Sequence, residues 1–333
     1  MKKLNLFKWL TLLGTILALS VVVLGAYVRL SDAGLGCPDW PGCYGALSVP
    51  QSEAAILKAQ QVYPDKPIET AKAWKEMAHR YLAGMLGLIV LAVCGLAWNA
   101  RCYIKVSPLL PTILLIMIIF QAMLGMWTVT MLLKPAIVSA HLIGGMATLA
   151  LLTWITHRHW GILTNARLMD PTLTLLIRGA IIILLAQIFL GGWTSTNYAA
   201  LACTDFPTCH GVWIPNMDFK DAYYMVRELG KSASGGNLNL EALTAIQWAH
   251  RLGAFITFIY FVSLALMLMN QAQFRKLALL LLITLVAQIT IGIANLVLQL
   301  PLILAVAHNF GAALLVIITI VINSKITRSH NRT

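Results

Sequence analysis

Eight apolar runs dominate this chain, at about 9–28, 77–98, 108–131, 136–156, 173–194, 244–268, 275–298 and 302–323. In hydrocarbon, backbone N–H and C=O groups find no water, so each must be satisfied inside its own helix or in a closed barrel. Runs of about 20 apolar residues match the thickness of a bilayer as helices. The expected fold is therefore an all-α polytopic membrane protein with eight transmembrane helices. Only 11% of the 333 residues are charged, against roughly 25% in a soluble domain. The net charge of +12 does not imply a nucleic-acid partner. The basic residues sit at span ends and in loops rather than on one face, and membrane lipid is the expected surrounding.

The short connections set the predicted orientation, because Lys and Arg accumulate on the cytoplasmic side of short loops. Arg101 with Lys105, Arg158 with Arg167, and Arg275 with Lys276 fall in such connections. Lys2, Lys3 and Lys8 at the start, and Lys325, Arg328 and Arg332 at the end, join them. Both termini are read as cytoplasmic, and the long loops at about 29–76 and 195–243 as external. Met1-Lys2-Lys3 and the run from Leu10 to Val28 resemble a signal peptide. No small-x-small cleavage site precedes Arg29, so the run is read as an uncleaved first span. With no transit peptide visible, a bacterial plasma (inner) membrane is expected.

The chain repeats itself. Cys37-Pro-Asp-Trp-Pro-Gly-Cys43-Tyr-Gly matches Cys203-Thr-Asp-Phe-Pro-Thr-Cys209-His-Gly, as C-x-D-x-P-x-C-x-G, 166 residues apart. Glu76-Met-Ala-His79-Arg80 matches Gln247-Trp-Ala-His250-Arg251 at an offset of 171, and His141 matches His308 at 167. The order span, cysteine loop, histidine span, span, histidine span thus occurs twice. Each half has an even number of spans, so both enter the membrane in the same direction. The expected arrangement is two four-helix bundles related by a pseudo-two-fold axis: residues 1–156, a cytoplasmic linker at 157–172, and residues 173–333.

In each half the two histidines head spans that run the same way, so they lie at similar depth. Two imidazoles at matched depth on neighbouring helices can grip one haem iron from both sides. His79, His141, His250 and His308 are the candidate metal ligands. Gly84, Gly87, Gly144, Gly145, Gly253 and Gly311 near them either leave room for a flat macrocycle or serve close helix packing. Zinc is a weaker match, since no common zinc spacing occurs and Glu76 is the only membrane-buried carboxylate near a histidine. His157, His159 and His330 read as boundary or tail residues and His210 as a loop residue. Arg80 and Arg251 either contact haem propionates through forked hydrogen bonds or snorkel to the interface. Arg29 is a weaker propionate candidate.

Cys37–Cys43 and Cys203–Cys209 can each close a local disulfide on the oxidising side. They read either as structural staples or as redox-active pairs. Cys-x-x-Cys-His is absent, so covalent haem attachment is not supported, and Cys94 and Cys102 read as ordinary apolar residues. Glu76 lies one turn from His79 on the same helix face, whereas the second half has Gln247 there. A carboxylate can shuttle protons or stabilise positive charge, and a glutamine cannot. The first half is therefore read as catalytic and the second as holding an electron-transfer haem; the alternative is that Glu76 is an interfacial carboxylate paired with Arg80 or Lys75.

These residues resemble the haem A synthase family along nearly the whole chain. The resemblance rests on Gly25-Ala-Tyr-Val-Arg-Leu-Ser-Asp-Ala-Gly-Leu-Gly-Cys-Pro-Asp-Trp-Pro-Gly-Cys43, Glu76-Met-Ala-His-Arg80, Ser139-Ala-His141, Gln247-Trp-Ala-His-Arg251 and Ala307-His308-Asn309. It implies haem b, an iron cofactor, at His250 and His308. It also implies haem O as substrate in the N-terminal half, with His79, His141 and Glu76 at the catalytic positions. The implied reaction oxidises a ring methyl to a formyl group through a hydroxymethyl intermediate, supplying haem A to terminal oxidases. Haem O synthase and oxidase assembly factors are the candidate partners, and a homo-oligomer is allowed. Family members vary in having both cysteine pairs. The rival readings are a di-haem b-type electron-transfer cytochrome, which would place haems at opposite membrane faces, and a haem carrier without turnover. A prenyl transferase making haem O is disfavoured, because no N-D-x-x-D motif occurs.

Overall fold

The computed structural model describes residues 2–101, 106–160 and 170–330, the last four as helix backbone only. Lys105, Arg167, Cys102, Arg332 and most of the expected linker lie outside the described residues. Among the described residues the regular structure is helical, apart from isolated bridges in loops. The helices are α1 (Lys2–Leu30), α2 (Glu53–Val62), α3 (Thr70–Asn99), α4 (Leu109–Thr130) and α5 (Pro135–Trp160), then α6 (Pro171–Thr196), α7 (Phe219–Ala222), α8 (Leu240–Met269), α9 (Arg275–Val297) and α10 (Leu302–His330). All except α2 and α7 are long and apolar enough to cross a membrane, giving the eight expected spans. Helices α3 and α8 start several residues before the apolar runs at 77 and 244. A helix need not end where hydrocarbon ends. Ala-Lys-Ala-Trp-Lys-Glu is good helix sequence, and Asn239 caps α8 by accepting from Ala242 N at 2.8 Å.

The chain forms two compact units, Met1–Thr148 and Leu149–Thr333. In the first, α3 packs on α1 and on α4. Helix α5 meets α4 through Gly144 against Gln121, and meets α1 through Gly145, where an added Cβ would lie 3.7 Å from Val22 Cγ2. The four spans thus close into a ring of neighbours. In the second unit α6 neighbours α8, α8 neighbours α9, α9 neighbours α10 and α10 returns to α6. Asn323 fastens that last contact by donating from Nδ2 to Ile177 O at 2.9 Å. The start of α5 belongs to the first unit and its end to the second, where His157 Nδ1 meets Ser324 Oγ. Leu86, Val90 and Leu114 are buried in the first unit, as are Ile177, Phe261, Leu264 and Leu281 in the second. Ile16, Leu88, Ile116, Ile182, Phe255 and Ile283 remain exposed, because lipid solvates these faces.

The spans α1, α4, α6 and α9 end in the same cap. The N–H groups of Ala33, Leu133, Ala199 and Leu300 donate to the carbonyls of Val28, Thr128, Thr194 and Asn295, five residues back, at 3.0, 2.8, 3.0 and 2.7 Å. The preceding residues Asp32, Leu132, Tyr198 and Gln299 take left-handed φ values of 49°, 49°, 55° and 57°. This Schellman-type turn satisfies carbonyls that a helix end leaves open. A glycine lies seven residues before each left-handed residue: Gly25, Gly125, Gly191 and Gly292. At about 1.5 Å per residue, each glycine is held at the same depth below its own turn.

Candidate functional site

The cysteine motif folds into a small unit in both loops. Cys37–Cys43 and Cys203–Cys209 are disulfides, with S–S distances of 1.99 and 2.02 Å. The aspartate between each pair builds the loop's tip. Asp39 accepts from Tyr44 N at 2.6 Å and Gly45 N at 2.8 Å, and Asp205 accepts from His210 N at 2.7 Å and Gly211 N at 3.0 Å. Tyr44 and His210 both have φ of 54°, and Gly45 and Gly211 both 76°. Two successive left-handed residues explain the glycine that closes the motif. Thr208 Oγ1 adds a third hydrogen bond to Asp205 at 2.5 Å. These donors hold the Asp205 carboxyl well below the usual carboxylate range, led by Thr208. His210, beside Cys203 and Cys209, makes no metal site with them, because the two sulfurs are bonded to each other. Its Nε2 instead lies 3.3 Å from Thr244 Oγ1.

Arg80 and Arg251 plug these loops from the helices. Arg251 donates from Nη1 to Asp205 O at 2.9 Å and Thr208 O at 2.7 Å, and from Nη2 to Cys203 O at 2.8 Å. Arg80 donates to Asp39 O at 2.9 Å, to Gly42 O, and to the Glu76 carboxylate one turn away. Each arginine thus has loop carbonyls as partners, a role the sequence did not suggest. Glu76 is 4% exposed. Its other oxygen accepts from Cys37 N at 2.9 Å, so the carboxylate links His79's helix to the first disulfide. Gln247, its counterpart, is buried with Oε1 unpartnered. In the second loop the buried Arg227 donates to Asn197 Oδ1 at 2.7 Å and lies 5.7 Å from the Trp193 ring centre. Burial lowers its pKa.

The four histidines share one packing arrangement. Each presses its Cε1 edge on a glycine of the preceding span. A Cβ added at Gly25 would lie 2.9 Å from His79 Cε1, at Gly125 3.4 Å from His141, at Gly191 3.0 Å from His250, and at Gly292 2.9 Å from His308. Nδ1 of His79, His141 and His308 is buried without a hydrogen bond of ordinary geometry. The backbone of Val21, Gln121 or Gln288, four residues before the glycine, comes close to the ring. Within its own unit, each histidine pair lies in electrostatic range, His79 with His141 and His250 with His308. All four residues remain half-buried although these Nδ1 atoms are shut in, which leaves Nε2 as the nitrogen available to a ligand.

This arrangement fits a haem. Imidazole pairs suit iron, and backbone beside a buried Nδ1 is a usual support of a metal-binding Nε2. The clearing glycines are not the ones expected from the sequence. Gly144, Gly253 and Gly311 are instead filled by the side chains of Gln121, Gln187 and Gln288. A signal for them exists, since Gln-x-x-x-Gly occurs at 121–125, 187–191 and 288–292, each ahead of a histidine span.

The fold and these side chains define a class: a multi-pass, all-α membrane protein whose two units each carry a histidine pair and a disulfide loop braced by an arginine. The family model described as cytochrome oxidase assembly protein (COX15-CtaA) matches residues 8–320. The chain belongs to that family. It is 44% identical over 317 residues to a protein of Shewanella oneidensis named heme A synthase, covering 95% of each chain. It is 29% identical over 342 residues to the heme A synthase of Rickettsia akari, covering 96% of this chain and 97% of that one. The heme A synthase of Halalkalibacterium halodurans is 29% identical over 219 residues, covering 64% and 66%.

Proposed function

We propose that this protein is a haem A synthase, an oxidoreductase that converts the ring methyl of haem O to a formyl group through a hydroxymethyl intermediate. The observation that carries the proposal is the pair of imidazoles in each unit, every ring seated on a glycine of the neighbouring span. Two similar sites in one chain suit a reaction whose substrate and cofactor are both haems.

His79 and His141 would bind the substrate haem O, and His250 and His308 a resident haem b. Bound haem b supplies one-electron chemistry, accepting electrons that the oxidation releases. The protein's own part is position and charge. The backbone beside His79, His141 and His308, and the Gln187 amide at His250 Nδ1, would fix the orientation of the rings. Glu76, on the same helix face as His79, presents a carboxylate held by Arg80 and Cys37 N. It could stabilise positive charge or take a proton during the oxidation. Arg80 and Arg251 lock the disulfide loops to the histidine helices, and any propionate contact would add to that role. The apolar spans around the histidines would shield a bound haem from water. The termini are assigned to the cytoplasm and the disulfide loops to the outer side of a bacterial inner membrane, where disulfides persist.

The test is haem extraction and chromatography from membranes supplied with haem O, comparing the parent protein with His79→Ala and His250→Ala. The expected result is haem A or its hydroxymethyl precursor from the parent protein alone. Unchanged haem from the parent and both variants would refute the synthase reading and favour an electron-transfer or carrier protein.

A further inference from the structure

Four helix pairs repeat a single contact, and one of them breaks its pattern. In three pairs the first helix carries Gln-x-x-x-Gly and the second His-x-x-Gly. Gln121 fills the space at Gly144, Gln187 that at Gly253 and Gln288 that at Gly311. Each of these glycines follows its histidine by three residues, so each amide lies one turn along the helix from a histidine. The counterparts in the pair containing His79 are Val21 and Leu82. An apolar pair therefore stands where the other three have an amide in a glycine notch.

One of these amides reaches its ring directly. Gln187 Nε2 lies 3.0 Å from His250 Nδ1 and donates to His250 O at 3.1 Å. Gln121 is 8% exposed, and both its amide atoms are buried without a partner. The Oε1 atoms of Gln187 and Gln288 are also buried and unpartnered. A histidine that binds metal through Nε2 carries its proton on Nδ1 and needs an acceptor there. A side-chain amide can rotate to provide one, and in doing so it fixes the ring and raises its basicity.

Building on the haem reading of the paired histidines, we infer that Gln187 and Gln288 are positioning residues that clamp the haem of the second unit as a resident group. Val21 and Leu82 leave His79 without a side-chain amide, which makes it the exchangeable ligand of the first unit. A substrate haem has to enter and leave, whereas a cofactor has to stay. The sequence assigns amides accordingly: two for the His250 and His308 pair, one for the His79 and His141 pair.

The experiment measures haem release to excess apomyoglobin, with the absorption spectrum and midpoint potential of the bound haem. The second site is read in His79→Ala protein and the first in His250→Ala protein. Gln187→Met keeps the notch filled and removes the amide; Gln288→Met repeats the test should the first variant fail to accumulate. The expected result is release from the second site about 10- to 100-fold faster, the range for lost outer-shell support, with a shifted potential. Val21→Gln combined with Leu82→Gly should slow release from the first site. Unchanged release and potential in the methionine variants would overturn the inference and leave the glutamines as packing. Failure of the parent protein to hold haem at either site would instead remove the haem reading, and the inference with it.

Discussion

Replacing Gly292 with alanine would put a methyl group 2.9 Å from His308 Cε1. Carbon atoms pack best at about 3.5–4.0 Å, so the ring or the helix must retreat by about 0.6 Å or more. Metal–ligand distances tolerate only about ±0.2 Å. Retreat would also carry the His308 ring away from the Gln288 backbone on α9. Overpacking of this kind costs about 1–3 kcal/mol, which is about a 5- to 150-fold loss of haem affinity at 1.4 kcal/mol per factor of ten. Gly25→Ala and Gly191→Ala, with contacts of 2.9 and 3.0 Å, belong with it. Gly125→Ala is the internal control, since its methyl would sit 3.4 Å from His141 Cε1, where about 0.1 Å of give suffices. The assay is the haem-to-protein ratio of purified variants, with release kinetics. Equal haem loss in Gly125→Ala and Gly292→Ala, or wild-type haem retention in Gly292→Ala, would refute the steric argument.

Arg251→Ala should lower stability by about 2–4 kcal/mol, because one charged group serves three carbonyls. Thermal unfolding in detergent checks this, and Arg251→Lys should recover only part of it, since an ammonium lacks the fork; full recovery would sink the forked-clamp account. Asp205 has a folded pKa below its unfolded one, so its stabilisation is complete above the ordinary value of about 4 and is lost as pH falls through the depressed value. Proteolysis of the 195–243 loop should therefore rise only at strongly acid pH in the parent protein, and Asp205→Asn should be looser at neutral pH with a flatter profile. Identical profiles would contradict that linkage. Glu76→Gln should keep haem bound but lose haem A formation, read by chromatography beside Gln247→Glu as a matched change; retained turnover would confine Glu76 to bracing Arg80 and Cys37.

The eight spans were legible because hydrocarbon forces each run to satisfy its own backbone, a constraint that acts within about 20 residues. The cysteine loops were legible as a repeated motif, and the four histidines as a pattern of buried polar residues with a two-fold echo. Only tertiary structure decided what these residues touch. Arg251 reaches carbonyls more than 40 positions away, and main-chain acceptors carry no side-chain signature in a sequence. Glu76 binds Cys37 N across 39 positions for the same reason. The sequence left the glycines open between room for a macrocycle and close packing, because a missing side chain has meaning only when the neighbouring helix is known. Those on the histidine helices were the ones noticed, yet glutamines fill Gly144, Gly253 and Gly311, while Gly25, Gly125, Gly191 and Gly292 on the preceding helices clear the imidazoles. Apolar periodicity determined which segments are helices. Helix pairing, set by close packing and the shared caps, decided which edge of each histidine is left for a ligand.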